Sequence, residues 1–243
     1  MNTFINNNNK FNKKKVVFIM GATGTGNYRI SVDLATHFRR EIMNSDKMQI
    51  HKGLEIVTNK ITHADKQGVR HYLLGLVDEV RQIFIPDADY TKEQSVLNRR
   101  VDTRVDEMVN AGLVDEVRQI IIPDEDYTKG IQLSIGVPEM AKYLMEEKNI
   151  DGDDESKKMI LQASISSIKR NTRILIYNQL DKIKRLINEK MWSVHHIIAT
   201  DVFKEDRKEA VDEAWRNTVL QPCLDIVERF LKNDDHNISI ECT

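Results

Sequence analysis

Two cysteines, Cys223 and Cys242, are all that this sequence contains. That is too few for a disulfide framework, and their separation has no metal-ligand spacing, so a reduced intracellular compartment is expected. Long apolar runs are missing too. The best is Val16 to Met20, far short of the roughly eighteen residues that span a bilayer, which excludes a membrane-spanning helix. Net charge is almost absent, with 36 Lys and Arg against 38 Asp and Glu giving -2. No whole-chain attraction to nucleic acid or anionic lipid follows from such a balance, and any such partner needs a local patch. Acidic residues do not occur before Asp33, and the first fourteen residues, MNTFINNNNKFNKK, are dominated by asparagine. A tract like that builds no core and reads as a disordered tail. It is basic enough for the remnant of an organelle transit peptide, although such peptides are usually rich in Ser and Arg.

What is present suits one core with a helical annex: 243 residues, 40% of them hydrophobic, enough to bury a substantial interior. From Lys15 the chain reads VVFIM, GATGTGNY and RISVDLATHF. The spacing of Ile30, Val32, Leu34 and Phe38 predicts a strand, a tight glycine loop and an amphipathic helix, the opening unit of a nucleotide-binding α/β domain. EIMNSD from Glu41 predicts a second buried strand with Ser45 and Asp46 at its carboxyl end, where open parallel sheets bind ligands. The expected layout is a tail at 1–14, a phosphate-loop α/β core at 15–94, a mainly helical region at 95–232 and a polar tail at 233–243.

An internal repeat stands out: DEVRQIFIPDADYTK at 78–92 recurs as DEVRQIIIPDEDYTK at 115–129, differing only at Phe84/Ile121 and Ala88/Glu125. Solenoid units diverge and recur many times, so two near-identical copies indicate a recent segmental duplication or a misassembled gene model. Around the second copy, Leu97, Val101, Val105, Met108, Val109, Leu113 and Val117 predict a helix or helix pair hinged at Gly112. A long helix is expected from Ser156 to about Lys190, and a last one from Arg207 to Leu231, interrupted at Pro222.

Gly21, Ala22, Thr23, Gly24, Thr25 and Gly26 carry the strongest chemical signal. Successive backbone N–H groups in such a loop converge on phosphate oxygens, aided by the positive end of the following helix. The complete motif closes with Lys and Ser or Thr, whereas this chain has Asn27 and Tyr28. The cradle is present without its cation and magnesium ligand. Loss of the lysine removes a charge-assisted contact worth roughly 1.5–3 kcal/mol, and the Tyr28 oxygen lies too far out on a rigid ring to replace a serine hydroxyl. Arg29 is the nearest alternative cation, though it starts from a different helix face. A glycine loop that only turns the chain remains the plain alternative. Asp46 suits a general base; it equally suits an N-cap for Lys47-Met48-Gln49. His195-His196 face opposite ways in a strand and make a poor metal pair. The acidic run at 151–155 lacks the pattern of a calcium loop, and no metal ligands are assigned. The Lys169-Arg170-Arg173 and Lys182-Lys184-Arg185 clusters could meet phosphates but suit a solvated helix face, and Trp192 and Trp215 suit core anchors.

GATGTG followed by RISVDLA, EIMNSDKMQIHKGLEIVTNKIT and GVRHYLLGLVD closely resembles the amino-terminal half of plant adenylate isopentenyltransferases, the cytokinin-producing relatives of tRNA dimethylallyltransferases. RVDEMVNAGLVDEVRQI, DYTKGIQLSIGVPEMAKYL and IKRNTRILIYNQLDKIKRL resemble the remainder in order, over nearly everything from Lys15 to Leu231. The resemblance implies a phosphate-loop NTPase-like parallel sheet with missing strands and a mainly helical C-terminal region. It implies transfer of a dimethylallyl group from dimethylallyl diphosphate to N6 of adenine in ATP, ADP or AMP, or in tRNA, with magnesium on the diphosphate. Asp46 of the NSDKMQ motif then acts as the base on N6. The loop from Gly21 to Tyr28 holds diphosphate, and Ser45, Lys47, Gln49, Thr58 and Lys60 line the acceptor side. The expected partners are nucleotide and prenyl diphosphate, with tRNA less favoured, no membrane, and a monomer; plastid, cytosol and mitochondrion all remain open. Three departures point to impaired activity or a nucleotide-binding pseudoenzyme: Asn27 with Tyr28, Asn178 in place of an arginine before Gln179, and a jump between Gln94 and Val96 over a block holding a G-G-[ST]-x-x-Y motif. Losing its strands is expected to leave a hole in the sheet.

Overall fold

A computed structural model describes residues 15–46, 48–49, 54–73, 82–87, 94–121, 130–147, 154–190, 194–205 and 207–232. The asparagine tail, Lys47, the 151–153 part of the acidic run, Trp192, Cys242 and the C-terminal polar tail lie outside them. The opening unit forms as its pattern dictates. Strand β1 (Val17–Ile19) leads through the glycine loop into helix α1 (Asn27–Phe38). That helix buries Ile30 and Leu34 and stops at Arg39, whose left-handed backbone returns its N–H to the Ala35 and Thr36 carbonyls.

Strands β2 (Ile42–Asn44) and β3 (His71–Leu73) pair in parallel as a two-stranded sheet. The second strand is therefore not buried as its apolar pattern suggests. It has one partner strand, and Met43 is half exposed. The other sheet has the order β1-β4-β5, all parallel, with β4 at Gln82–Asp87 and β5 at His195–Ile198.

The first repeat copy thus supplies the middle strand. Phe84 is in register with both Ile19 and His195, so a strand of duplicated sequence stands between β1 and β5, while among the described residues β2 and β3 form a separate sheet. Pro86 lies beyond the end of β1 and pairs only with β5, where an absent N–H disturbs one ladder at most. In the second copy the same letters behave differently: DEVR lies in helix α3 (Leu113–Arg118), and Gln119 and Ile120 form the turn that ends it. Gly112, at φ 105°, caps α3 after α2 (Gln94–Asn110), the hinge that its position suggests. With Leu113 and Val117 fully buried beside Val105, Met140 and Ile168, packing context fixes the helical state.

Helix α4 (Val137–Glu147) and the 37-residue α5 (Asp154–Lys190) complete the helical wall. Along α5, Ile165 and Ile168 join the cluster around Leu113, Ile176 and Leu180 pack with Ala22, Leu97 and Val101, and Ile183 meets Phe18 and Met20. One helix therefore touches both the helical core and the loop after β1. Arg173 pairs with Asp102, and Lys169 with Asp106 at 2.6 Å. Those two cations clamp α5 to α2 rather than facing a phosphate. After β5 come α6 (Thr200–Lys204), α7 (Lys208–Trp215), a π-helical turn at Arg216–Leu220 and α8 (Gln221–Lys232). Pro222 does not break this run. It closely follows the π-turn at 216–220, the local irregularity in the hydrogen-bond ladder that accommodates a residue without an N–H inside a continuous helical run. Among the described residues no helix is long and apolar enough to cross a membrane.

Candidate active site

The glycine loop sits at the carboxyl end of β1 and is held from three sides. Ala22 is buried against Leu97 and Val101 of α2 and Ile176 and Leu180 of α5. Gly24 and Gly26 have φ of 88° and 92°, a region costly for any residue with a Cβ. Trp215 supports the loop from α7: a Cβ on Gly26 would lie 2.9 Å from its Cζ3 and Cη2 atoms, and its Nε1–H donates to Asp33 at 2.8 Å.

Within the loop, side chains tie up two carbonyls and one N–H, and only the N–H is a group that a phosphate would use. The Asn27 Nδ2 donates to the Gly21 carbonyl at 2.8 Å, and its Oδ1 lies 3.2 Å from the Thr25 hydroxyl. Thr25, fully buried, donates to the Ala22 carbonyl at 2.8 Å. The Thr23 N–H donates to Gln179 Oε1 at 2.9 Å, so α5 reaches the cradle through Gln179, while Asn178 beside it is exposed. Tyr28 turns away from the loop. Its hydroxyl donates to the Asp65 carbonyl at 3.3 Å and its ring stacks on His71, while burial and then Asp65 raise its pKa to about 12.

Magnesium, which the resemblance implies, finds no fitting donors in this loop. The position-28 oxygen points elsewhere, and among the described residues no cluster of three or more His, Cys, Asp or Glu could hold a metal. Arg29 is likewise engaged, over the Trp215 ring at 4.6 Å and paired with Asp212 at 2.7 Å. It therefore does not replace the missing lysine. Arg29→Ala is expected to leave ligand-induced thermal stabilisation unchanged and to lower Tm by no more than about 3 °C, since an exposed pair contributes roughly 0–1 kcal/mol. A thermal melt with and without diphosphate checks it.

Among the described residues a cation that does reach the loop is Arg100, which sequence reading missed. Its Nε donates to the Gly24 carbonyl at 3.0 Å and its guanidinium lies 4.3 Å from the centre of the Phe203 ring. Burial lowers its pKa, with Arg29 adding to the effect and Glu107 opposing it. Arg104, one turn on, is lowered by burial and by Arg100. The signal lay in the Leu97–Val101 stripe that brackets Arg100, but nothing in a helical period says which surface the stripe covers.

Asp46 follows β2 with its carboxylate already in use. Oδ1 accepts the Met48 N–H at 2.9 Å, closing a turn in which the Gln49 N–H donates to the Asp46 carbonyl. Among the described residues, Oδ2 carries no hydrogen bond, so capping the turn leaves an oxygen for a proton. Ser45 is exposed beside it. Gln49 links Asn44 (2.6 Å) to the Asn59 carbonyl (3.3 Å). Thr58 is buried with its hydroxyl donating to the Leu54 carbonyl, and Lys60 pairs with Glu55 at 3.2 Å. Lys47 lies outside the described residues.

Residues 82–185 match the model of the IPP transferase family. Adenylate isopentenyltransferase 7, mitochondrial, of Arabidopsis thaliana is 37% identical over 92% of this chain and 84% of its own length. Adenylate isopentenyltransferase 5, chloroplastic, of the same plant is 39% identical over 93% and 83%. The first alignment spans 278 positions against a chain of 243, so part of that relative has no counterpart here. Among solved structures, a eukaryotic dimethylallyltransferase acting on tRNA matches with a TM-score of 0.70 at 16% identity, covering 93% of this chain and 81% of that one. The tRNA isopentenylpyrophosphate transferase of Bacillus halodurans matches at 0.58 and 21% identity, covering 89% of this chain and 100% of the other. These structural likenesses show a phosphate-loop NTPase-like fold. With the two adenylate isopentenyltransferases 37–39% identical over more than nine-tenths of its length, this chain belongs to the IPP transferase family.

Proposed function

We infer that this chain transfers a dimethylallyl group from dimethylallyl diphosphate to N6 of adenine in AMP, ADP or ATP, the reaction of cytokinin biosynthesis, at a rate limited by weak handling of the diphosphate. The observation that carries this reading is the self-occupied cradle: glycines at positive φ after β1, with Asn27 and Gln179 bonded to its polar groups. An aryl amine is a poor nucleophile, so its proton must leave as the new bond forms. Asp46 Oδ2 takes the N6 proton, N6 bonds to the allylic carbon, and the carbon–oxygen bond breaks with its electrons going to the diphosphate. Loop N–H groups and Arg100 stabilise that leaving charge. No loop lysine adds to them, so departure of diphosphate is the slow step.

The nucleotide acceptor is favoured over tRNA because relatives at 37–39% identity across the chain carry the adenylate name. Those relatives, named as mitochondrial and chloroplastic, support an intracellular location. Purified chain incubated with labelled dimethylallyl diphosphate, magnesium and each adenine nucleotide is expected to give slow N6-labelled product. Asp46→Ala lowers that rate by at least about 100-fold. A folded chain giving no product with saturating substrates would overturn the reading.

A further inference from the structure

We propose that Glu116 is a positioning residue for Asp46, acting through a continuous chain of hydrogen bonds; the proposal rests on the role given to Asp46 above. Glu116 stands in α3, within the second repeat copy. Its carboxylate leaves the helix and accepts two backbone N–H groups of a distant segment, Ile56 at 2.9 Å and Val57 at 2.7 Å. That grip fixes the turn from Leu54 to Asn59, closed by Thr58 N–H to the Leu54 carbonyl and Asn59 N–H to the Ile56 carbonyl.

From this turn the bonds run on to the candidate base. The Asn59 carbonyl accepts Gln49 Nε2, Gln49 Oε1 accepts Asn44 Nδ2, and Asn44 Oδ1 accepts the Asp46 N–H at 2.9 Å. Asp46 Oδ1 then accepts the Met48 N–H. Gln49 and Asn44 each use both ends of their amides, so moving one end moves the next, and Asp46 closes the series through Oδ1 with Oδ2 left open.

The duplication gives this placement a consequence. Glu79, the matching residue of the first copy, lies outside the described residues, and the first copy contributes β4 to the sheet. Among the described residues, the second copy grips 54–59 through Glu116 while the first supplies β4.

Glu116→Gln tests the coupling, because an amide presents only one acceptor and turns an NH2 group toward one of the two N–H donors. Hydrogen exchange of the full chain is expected to quicken at Ile56 and Val57 and, by about tenfold or more, at Met48 and Gln49, while core amides of α5 stay slow. Acceleration at 56 and 57 with Met48 and Gln49 unchanged would overturn the proposal. Should Glu116→Gln fold poorly, Gln49→Leu cuts the chain midway. Met48 should then exchange faster with Ile56 and Val57 still protected, and an unchanged Met48 would count against the coupling.

In the double variant Asn27→Lys/Tyr28→Ser, adding Glu116→Gln should lower kcat about tenfold and leave KM for dimethylallyl diphosphate unchanged. An equal rise in KM would reduce Glu116 to a structural part. Exchange needs no turnover, so failure of the transferase reading and failure of this coupling give separate results.

Discussion

Asn27→Lys combined with Tyr28→Ser raises the rate of dimethylallyl transfer by roughly 10- to 100-fold, the equivalent of the 1.5–3 kcal/mol carried by one charge-assisted contact. The argument lies in what Asn27 now does. Its amide donates across the loop to the Gly21 carbonyl, and its Oδ1 sits 2.3 Å from where a Cβ on Gly21 would be. The side chain is thus folded against the loop itself. A lysine is too long for that place and carries its ammonium outward, over the loop, where the diphosphate charge grows. Releasing the Asn27 bond costs about 1 kcal/mol of stability, so Tm should fall by about 2–4 °C in the free protein while the shift on adding diphosphate grows. Single-turnover rates and paired thermal melts measure both. Tighter binding without faster transfer would put the deficit in the block that the relatives possess and this chain lacks.

Tyr28→Ser alone is expected to do little for the rate. Its oxygen is turned to Asp65 and its ring lies on His71, so the substitution first removes a contact between α1 and the region of β3. The charge has to come from position 27.

Much of this was legible in the letters. The apolar run, the glycines and the 3.6-residue spacing after Gly26 fixed β1, the loop and α1, because each is determined by neighbours in sequence. Gly112 as hinge and the long α5 follow from local periodicity in the same way. The repeat was not legible in structure, since Gln82 to Phe84 pair in parallel with β1 while Gln119 and Ile120 turn at a helix end. Strand pairing and burial are nonlocal, and local propensity is too weak to choose between them. Arg100, Gln179 and Trp215 were missed as loop contacts for a related reason. Each stands far along the chain from Gly21–Gly26, and only the packing of α2, α5 and α7 on that loop brings them near.

Gly26→Ala should be among the most damaging single changes in the chain. At φ 92° any Cβ costs about 1–2 kcal/mol, and here it would also enter the Trp215 ring at 2.9 Å. Overpacking of that kind adds about 1–3 kcal/mol. The sum lowers Tm by roughly 5–15 °C for a chain of this size, and because the last loop N–H groups shift with it, binding of diphosphate should vanish before the fold does. Trp215 is buried among α1, α7 and the π-turn, tied to Asp33 and covered by Arg29, so it has little freedom to withdraw. Trp215→Phe removes the outer ring atoms that collide. If the collision matters as well as the backbone angle, the double variant Gly26→Ala/Trp215→Phe is more stable than the two single losses added together, by about 1 kcal/mol or more. Additive losses would mean that the positive φ alone reserves position 26 for glycine, and that Trp215 supports α1 without shaping the loop.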